Sequence, residues 1–181
     1  ITSRLVGSEM CIRDRLWYAG PFFRAERPQL GRYRQLQQVG LESVGSDDPA
    51  LDAEVIAIAE EGYRRLGLSA YRLNLTSRGC AEGRPAYREQ LMAFLERCDL
   101  DAATRERAGS NPLRVLDDKR ESVQAQLADV PIMVDALCDG CSTHYDAVRE
   151  FLRDASVEWT DAPRLVRGLD YYCLLYTSPS P

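Results

Sequence analysis

Apolar and polar positions alternate with a period of two along "WYAGPFFRAER" and again along "QLQQVGLESVG", with Pro28 and Gly31 in the stretch between them. That spacing predicts two strands joined by a long turn. The pattern then switches to the helical period. In "DDPALDAEVIAIAEEGYRRLG" Asp47 or Asp48 can cap a helix, Pro49 suits its first turn and Gly67 its exit, with Leu51, Val55, Ile58, Ala59, Gly62 and Leu66 on one face. "YRLNLTS" alternates once more, with Tyr71, Leu73 and Leu75 on one side. After Gly83, "RPAYREQLMAFLERC", "DAATRERA", "RESVQAQLA" and "IMVDALCDGCSTHYDAVREFLRDA" are helical in period, separated by breaks at "NP" and "VP". In the last of these, Leu137, Cys141, Tyr145, Val148 and Leu152 form an apolar stripe with His144 at its margin, a packing or surface position. Strand character returns at "VEWT" and leads into "PRLVRGLDYY". The order is a β-rich core, a helical insertion, and the core again.

Composition narrows the class. A chain of 181 residues with 45% hydrophobic and 28% charged residues has the make-up of a soluble globular protein. No run is long enough to span a membrane, and "ITSRLVGSEMCIRDR" lacks the apolar core of a signal peptide, so a cytoplasmic protein is expected. A net charge of −5 argues against a domain-wide basic face for nucleic acid, although a local basic loop is enough to bind phosphates. The six cysteines are unevenly spaced and read as reduced thiols. "CDGC", Cys138 to Cys141, has the spacing of half a zinc site, but no second pair follows. Adding His144 gives three candidates where four are usual, so two cysteines at helical spacing, and no protein-bound metal, are expected. Both ends, residues 1–15 and "CLLYTSPSP" at 173–181, look like adaptor-derived tails rather than native sequence.

Residues two apart on a strand share a face. Arg24 and Glu26 therefore point one way, and Gln38, Gly40 and Glu42 do so on the returning strand. If the two faces coincide, they carry a guanidinium, two carboxylates and an amide below a turn bearing Arg27, Arg32 and Arg34. On the alternation alone, a solvated charged strand face accounts for this more readily than a site.

The wording of the sequence changes that balance. "FRAERPQLGRYRQLQQVGLE" resembles motif 2 of the class II aminoacyl-tRNA synthetases in its histidyl form, and "RLVRGLDYY" resembles the histidine-binding segment of the histidyl-tRNA synthetase family. "GSDDPALDAEVIAIA" and "NPLRVLDDKR" also look like that family, and the resemblance runs from Leu16 to Tyr172. It implies an α+β fold: part of the class II antiparallel-sheet catalytic core, interrupted by a helical insertion. The implied division is core with motif 2 over residues 16–82, insertion over 83–156, and core again over 157–172.

The activity implied is activation of histidine by ATP to histidyl-adenylate, then transfer to tRNA(His). Both steps place charge on phosphate or acyl oxygens, where fixed cations are effective. Arg24 matches the arginine that binds the α-phosphate and the amino-acid carboxylate; a planar fork serves two oxygens at once. Glu26 matches the carboxylate near the adenine amino group, Arg32 the turn over the β- and γ-phosphates, and Arg167 a second arginine at the α-phosphate. Arg24, Gln38, Glu42, Arg167, Tyr171 and Tyr172 would hold histidine. In that set Glu42 accepts from one ring nitrogen, Tyr172 serves the other and Gln38 meets the α-amino group, while Tyr171 is partly structural. Magnesium would accompany ATP as substrate, and the full-length enzyme would be a homodimer.

Two positions depart from the family pattern, Ala25 and Gln37, and neither carries an essential contact in this scheme. Counterparts of motif 1, motif 3 and the anticodon-binding domain are not found in the 181 residues, so the chain alone is expected not to charge tRNA and to be marginally folded. Two non-catalytic alternatives share the fold: the regulatory subunit of ATP phosphoribosyltransferase, and a degenerate synthetase domain serving in interaction. The retained Arg32 and Arg167 speak against both.

Overall fold

The computed structural model describes residues 14–25, 27–166 and 175–180. Glu26 and the segment holding Arg167, Tyr171 and Tyr172 lie outside them. Strands β1 (Asp14–Phe23) and β2 (Gln35–Val44) form the expected hairpin, antiparallel, with Leu16 opposite Glu42, Tyr18 opposite Gly40 and Gly20 opposite Gln38. Its tip closes on Leu30 and Gly31. Arg32 N–H donates to the Gln29 carbonyl at 2.8 Å, and Gly31 adopts φ +74°, the left-handed conformation that a type II turn requires at this place.

Helix α1 (Pro49–Arg65) is punctuated as expected. The Asp48 carboxylate accepts from Ala50 N–H at 2.9 Å, and Pro49 follows the cap. At the far end Gly67 has φ +74°, with Gly67 N–H bonded to the Arg64 carbonyl and Leu68 N–H to that of Tyr63, a Schellman closure. The buried face is not the expected one. Ala53 and Ile56 are buried, whereas Ile58 and Leu66 are exposed. The small side chains Ala53 and Ala57 turn inward because they admit the close approach of another helix, described next.

Strand β3 (Arg72–Ser77) precedes α2 (Gly83–Leu95), α3 (Ala102–Ser110), α4 (Leu113–Leu116) and α5 (Glu121–Gln126). A 3₁₀ turn at Met133–Ala136 leads to α6 (Asp139–Asp154), then β4 (Thr160–Asp161) and β5 (Leu175–Ser180). The expected single helix from Ile132 onward is broken: Leu137 and Cys138 are extended, and Cys138 is the residue before α6 rather than part of a helix. In the second sheet β3 is central, parallel to β4 and antiparallel to β5.

Two apolar clusters divide the interior. One gathers Tyr87, Leu91, Leu95, Leu100, Val115, Val123, Leu127 and Met133, all from the stretch α2 to the 3₁₀ turn. The other joins Ala53 and Ile56 of α1, Leu75 of β3, and Tyr145, Val148 and Leu152 of α6, with Val157 beyond. The stripe foreseen on α6 is thus buried, but against α1 and β3. Val134 and Leu137, ahead of α6, also pack against this second cluster. His144 lies at the α1–α6 contact, 2.7 Å from the Asp52 carboxylate and largely covered.

The stretches expected to be foreign tails also contribute backbone pairs. Asp14 and Arg15 lie opposite Val44 and Ser43, and Leu175–Ser180 lines the edge of β3. Main-chain pairing needs no side-chain pattern, so an open strand edge accepts an extended segment of any composition.

Candidate functional site

Because directly opposed residues of an antiparallel pair share a face, the register settles which side chains of the hairpin stand together. Arg24 N–H donates to the Arg34 carbonyl at 2.8 Å, extending the ladder beyond Phe22 and Leu36. One face therefore carries Arg24 and Arg34 near the tip, Gln38 at mid-length and Glu42 near the base, over roughly 26 Å of strand at ~3.3 Å per residue. The coincidence of the Arg24 and Gln38–Glu42 faces is as expected from the alternation. Arg24 and Gln38 are partly covered, and Glu42 is exposed.

The middle of the face is held by a residue that the sequence pattern did not single out. Tyr18 sits over Gly40, and its hydroxyl accepts a hydrogen bond from Gln38 Nε2 at 3.2 Å. Phe22 backs it, ring centroids 5.5 Å apart. The signal was legible in principle: Tyr18 in "WYAG" falls opposite the one glycine of the returning strand.

At the tip, Arg27, Pro28, Gln29 and Arg32 surround an open hollow of about 470 Å³. Two guanidinium-bearing residues at one concavity suit a polyanion such as a triphosphate. Base and tip thus differ in chemistry: cations at one end, an amide, a phenol and a carboxylate toward the other. An elongated ligand with a phosphate end and a polar end fits that order.

A second cavity, about 530 Å³, lies where β3 meets the helices, with Arg78, Arg84, Arg88, Tyr87 and Asn111 on its walls and Leu165 and Val166 at its edge. Val166 is the last described residue before position 175, and Arg167, Tyr171 and Tyr172 lie outside the described residues. A cluster of three cysteines forms where the loop after β3 meets the start of α6. Cys80, Cys138 and Cys141 bring their sulfurs within 4.8 Å of one another, whereas His144, grouped with "CDGC" on spacing, is engaged by Asp52.

A family model for histidyl-tRNA synthetase matches residues 8–173. Proteins named histidine–tRNA ligase from Saccharopolyspora erythraea and Mycobacterium tuberculosis are 61% and 59% identical over 158 residues. Each match takes in 87% of this chain but only 38% and 37% of the relative, so the chain spans well under half of their length. Among solved structures, apo histidyl-tRNA synthetase of S. aureus superposes with a TM-score of 0.66 at 30% identity, covering 91% of this chain and 38% of that one. A Bacillus halodurans protein titled as an ATP phosphoribosyltransferase regulatory subunit/histidyl-tRNA synthetase shares the fold at a TM-score of 0.59 and 17% identity, over 92% of this chain and 47% of that one.

Proposed function

Since the chain belongs to the histidyl-tRNA synthetase family, we propose that it supplies the motif 2 hairpin, the insertion and part of the histidine pocket of a histidine–tRNA ligase. The observation that carries this is the single hairpin face on which Arg24, Gln38 and Glu42 stand together beside the Arg27–Arg32 hollow. Arg24 binds the α-phosphate and the substrate carboxylate, and holds them as the carboxylate oxygen attacks phosphorus and pyrophosphate leaves. Arg27 and Arg32 take the outer phosphates, and magnesium enters with ATP as part of the substrate. Glu42 accepts the imidazole N–H, and Gln38 faces the α-amino group from a position fixed by Tyr18. Glu26, Arg167, Tyr171 and Tyr172 complete the set on the family's pattern. An unpaired polar pocket excludes apolar amino acids strongly, since its donors and acceptors would be left without partners.

Identities of 58–61% to proteins named as ligases favour this reading over the regulatory subunit, whose likeness extends to the fold. The reaction, tRNA(His) as acceptor, a homodimer and a cytoplasmic location belong to the longer polypeptide of which this chain matches 37–38%. No helix among the described residues is long and apolar enough to cross a membrane.

The test is ATP–pyrophosphate exchange by a full-length relative carrying this segment in place of its own. Exchange that depends on histidine, and that falls on the order of 10²–10³ in rate on Arg24→Ala, is expected for a lost phosphate-facing donor. Exchange indifferent to histidine, or to Arg24, overturns the proposal.

A further inference from the structure

The three clustered thiols come from two places in the chain that meet at one point. Cys80 lies in the loop between β3 and α2, Cys138 immediately precedes α6, and Cys141 lies in its first turn. Cys80 and Cys138 are 58 residues apart in sequence, yet their sulfurs are 3.7 Å apart, and all three sulfurs lie within 4.8 Å of one another. Sulfurs at the corners of a tetrahedron about 2.3 Å from a zinc ion are separated by roughly 3.8 Å. The set therefore needs to close by about 1 Å at most to hold such an ion. A disulfide between Cys80 and Cys138 would instead have to bring the sulfurs to about 2.05 Å and would leave Cys141 unused.

We propose that Cys80, Cys138 and Cys141 bind a single zinc ion as three thiolates, with water as the fourth ligand, closing the neck of the helical insertion. Three observations support this besides the spacing. The donor set is all sulfur, which selects zinc or another soft ion over magnesium or calcium. Cys138 is exposed and Cys80 partly so, while Cys141 is buried, so one side of the cluster is open for entry and for a water ligand. Backbone N–H groups of Gly83 and Glu82 point at the Cys80 sulfur, an arrangement that favours a thiolate as metal ligand.

This departs from the expectation of no protein-bound metal, and the reason is local. The helical period of "LCDGC" hid the break at Leu137–Cys138, and Cys80 lay too far away in sequence to be counted as a partner.

The experiment titrates the reduced 181-residue chain with cobalt(II) and then zinc, with Cys11, Cys98 and Cys173 replaced by serine. One equivalent of cobalt giving a thiolate-to-metal charge-transfer band, displaced by zinc, is expected. Cys138→Ser and Cys80→Ser should each weaken binding by more than about 100-fold, beyond what loss of an outer-shell partner costs. His144→Asn should leave it unchanged. A parallel measurement needs no variant: alkylation of the unsubstituted chain with and without zinc, read by mass spectrometry, should show Cys80, Cys138 and Cys141 protected together. Absence of the band, binding that survives Cys80→Ser, loss on His144→Asn, or protection of fewer than these three thiols overturns the proposal.

Discussion

Tyr18 occupies the space above Gly40 so completely that a Cβ at position 40 would stand 2.0 Å from Tyr18 Cζ and 2.3 Å from its hydroxyl oxygen. Gly40 is therefore needed for close approach, since its own φ lies outside the left-handed region. Any side chain there must expel the ring, and with it the hydroxyl that holds Gln38. In a full-length relative carrying this segment, Tyr18→Phe should raise the KM for histidine by about fivefold, the equivalent of one neutral hydrogen bond. The KM for ATP should stay within about twofold, because that interaction is remote from the cation-bearing tip. Gly40→Ala should exceed Tyr18→Phe in effect on histidine. Steady-state exchange kinetics with each substrate varied in turn checks both, and an effect of Gly40→Ala on ATP alone would contradict the arrangement.

Glu42→Gln in the same setting should damage histidine recognition more than ATP recognition. The carboxylate is proposed to accept an imidazole N–H, and a hydrogen bond with one charged partner contributes roughly 1.5–3 kcal/mol. Equal rises in the two Michaelis constants would remove Glu42 from the pocket.

The helical insertion should be acid-sensitive through one polar knot. The Asp118 carboxylate is buried and accepts from Arg120 at 2.7 Å and Arg107 at 2.9 Å, while Asp101 accepts from Thr104 and from Arg120 at 2.7 Å. Hydrogen bonds from the Arg120 guanidinium and backbone hold Asp118 well below the carboxylate range. Thr104 and Arg120 hold Asp101 at about 2. Both folded values are depressed, so their contribution is fully present above the unfolded value of about 4 and is lost as pH falls through the folded values. Urea stability should be level from about pH 7 to 5 and decline between about 4 and 2. Asp118→Asn should be less stable at pH 7 and show a shallower acid decline. A parallel decline in the variant would exclude Asp118 as a source.

Ser156 closes α6 in a conformation better suited to glycine. Its φ is +57°, with Ser156 N–H bonded to the Arg153 carbonyl and Val157 N–H to that of Leu152, the Schellman pattern seen also at Gly67. Left-handed backbone costs an L-residue roughly 1–2 kcal/mol, partly offset by glycine's greater freedom when unfolded. Ser156→Gly should therefore raise stability by about 0.5–1 kcal/mol in thermal or urea unfolding. A destabilised variant would show that the serine hydroxyl matters more than the backbone.

Protection against hydrogen exchange should be lowest in the hairpin. Trp17, Phe23 and Val39 are 75%, 74% and 78% exposed, whereas Val148 and Leu152 of α6 are fully buried. Opening of β1 and β2 costs little packing, so their amides should exchange at least about tenfold faster than those of α6. Uniform protection across residues 20–42 in a monomeric sample would overturn this.

What could be read in advance followed from short-range rules. The hairpin, its face parity, the caps of α1 and the stripe on α6 depend on period-two or period-3.6 spacing and on residues a few places apart. The errors arose where partners are distant. The α1 face turned toward Ala53 and Ala57 because α6 lies against it, which no spacing within α1 reveals. Cys80 joins Cys138 and Cys141 only once the insertion has folded. Tyr18 read as one aromatic among several until the register set it against Gly40.

That Cys80 and Cys138 meet has a bearing on how this region tolerates change in length. The chain departs from the core and returns to it at nearly one point, so the intervening helices behave thermodynamically as a closed loop. Lengthening such a loop raises its closure entropy only logarithmically, about 0.6 kcal/mol for a doubling. Insertions between positions 83 and 136 are therefore expected to leave the α1–α6 contact in place. A deletion that joins Cys80 to Leu137 would take Val134 from its packing but keep Ile56, Leu75 and Leu152, which come from α1, β3 and α6.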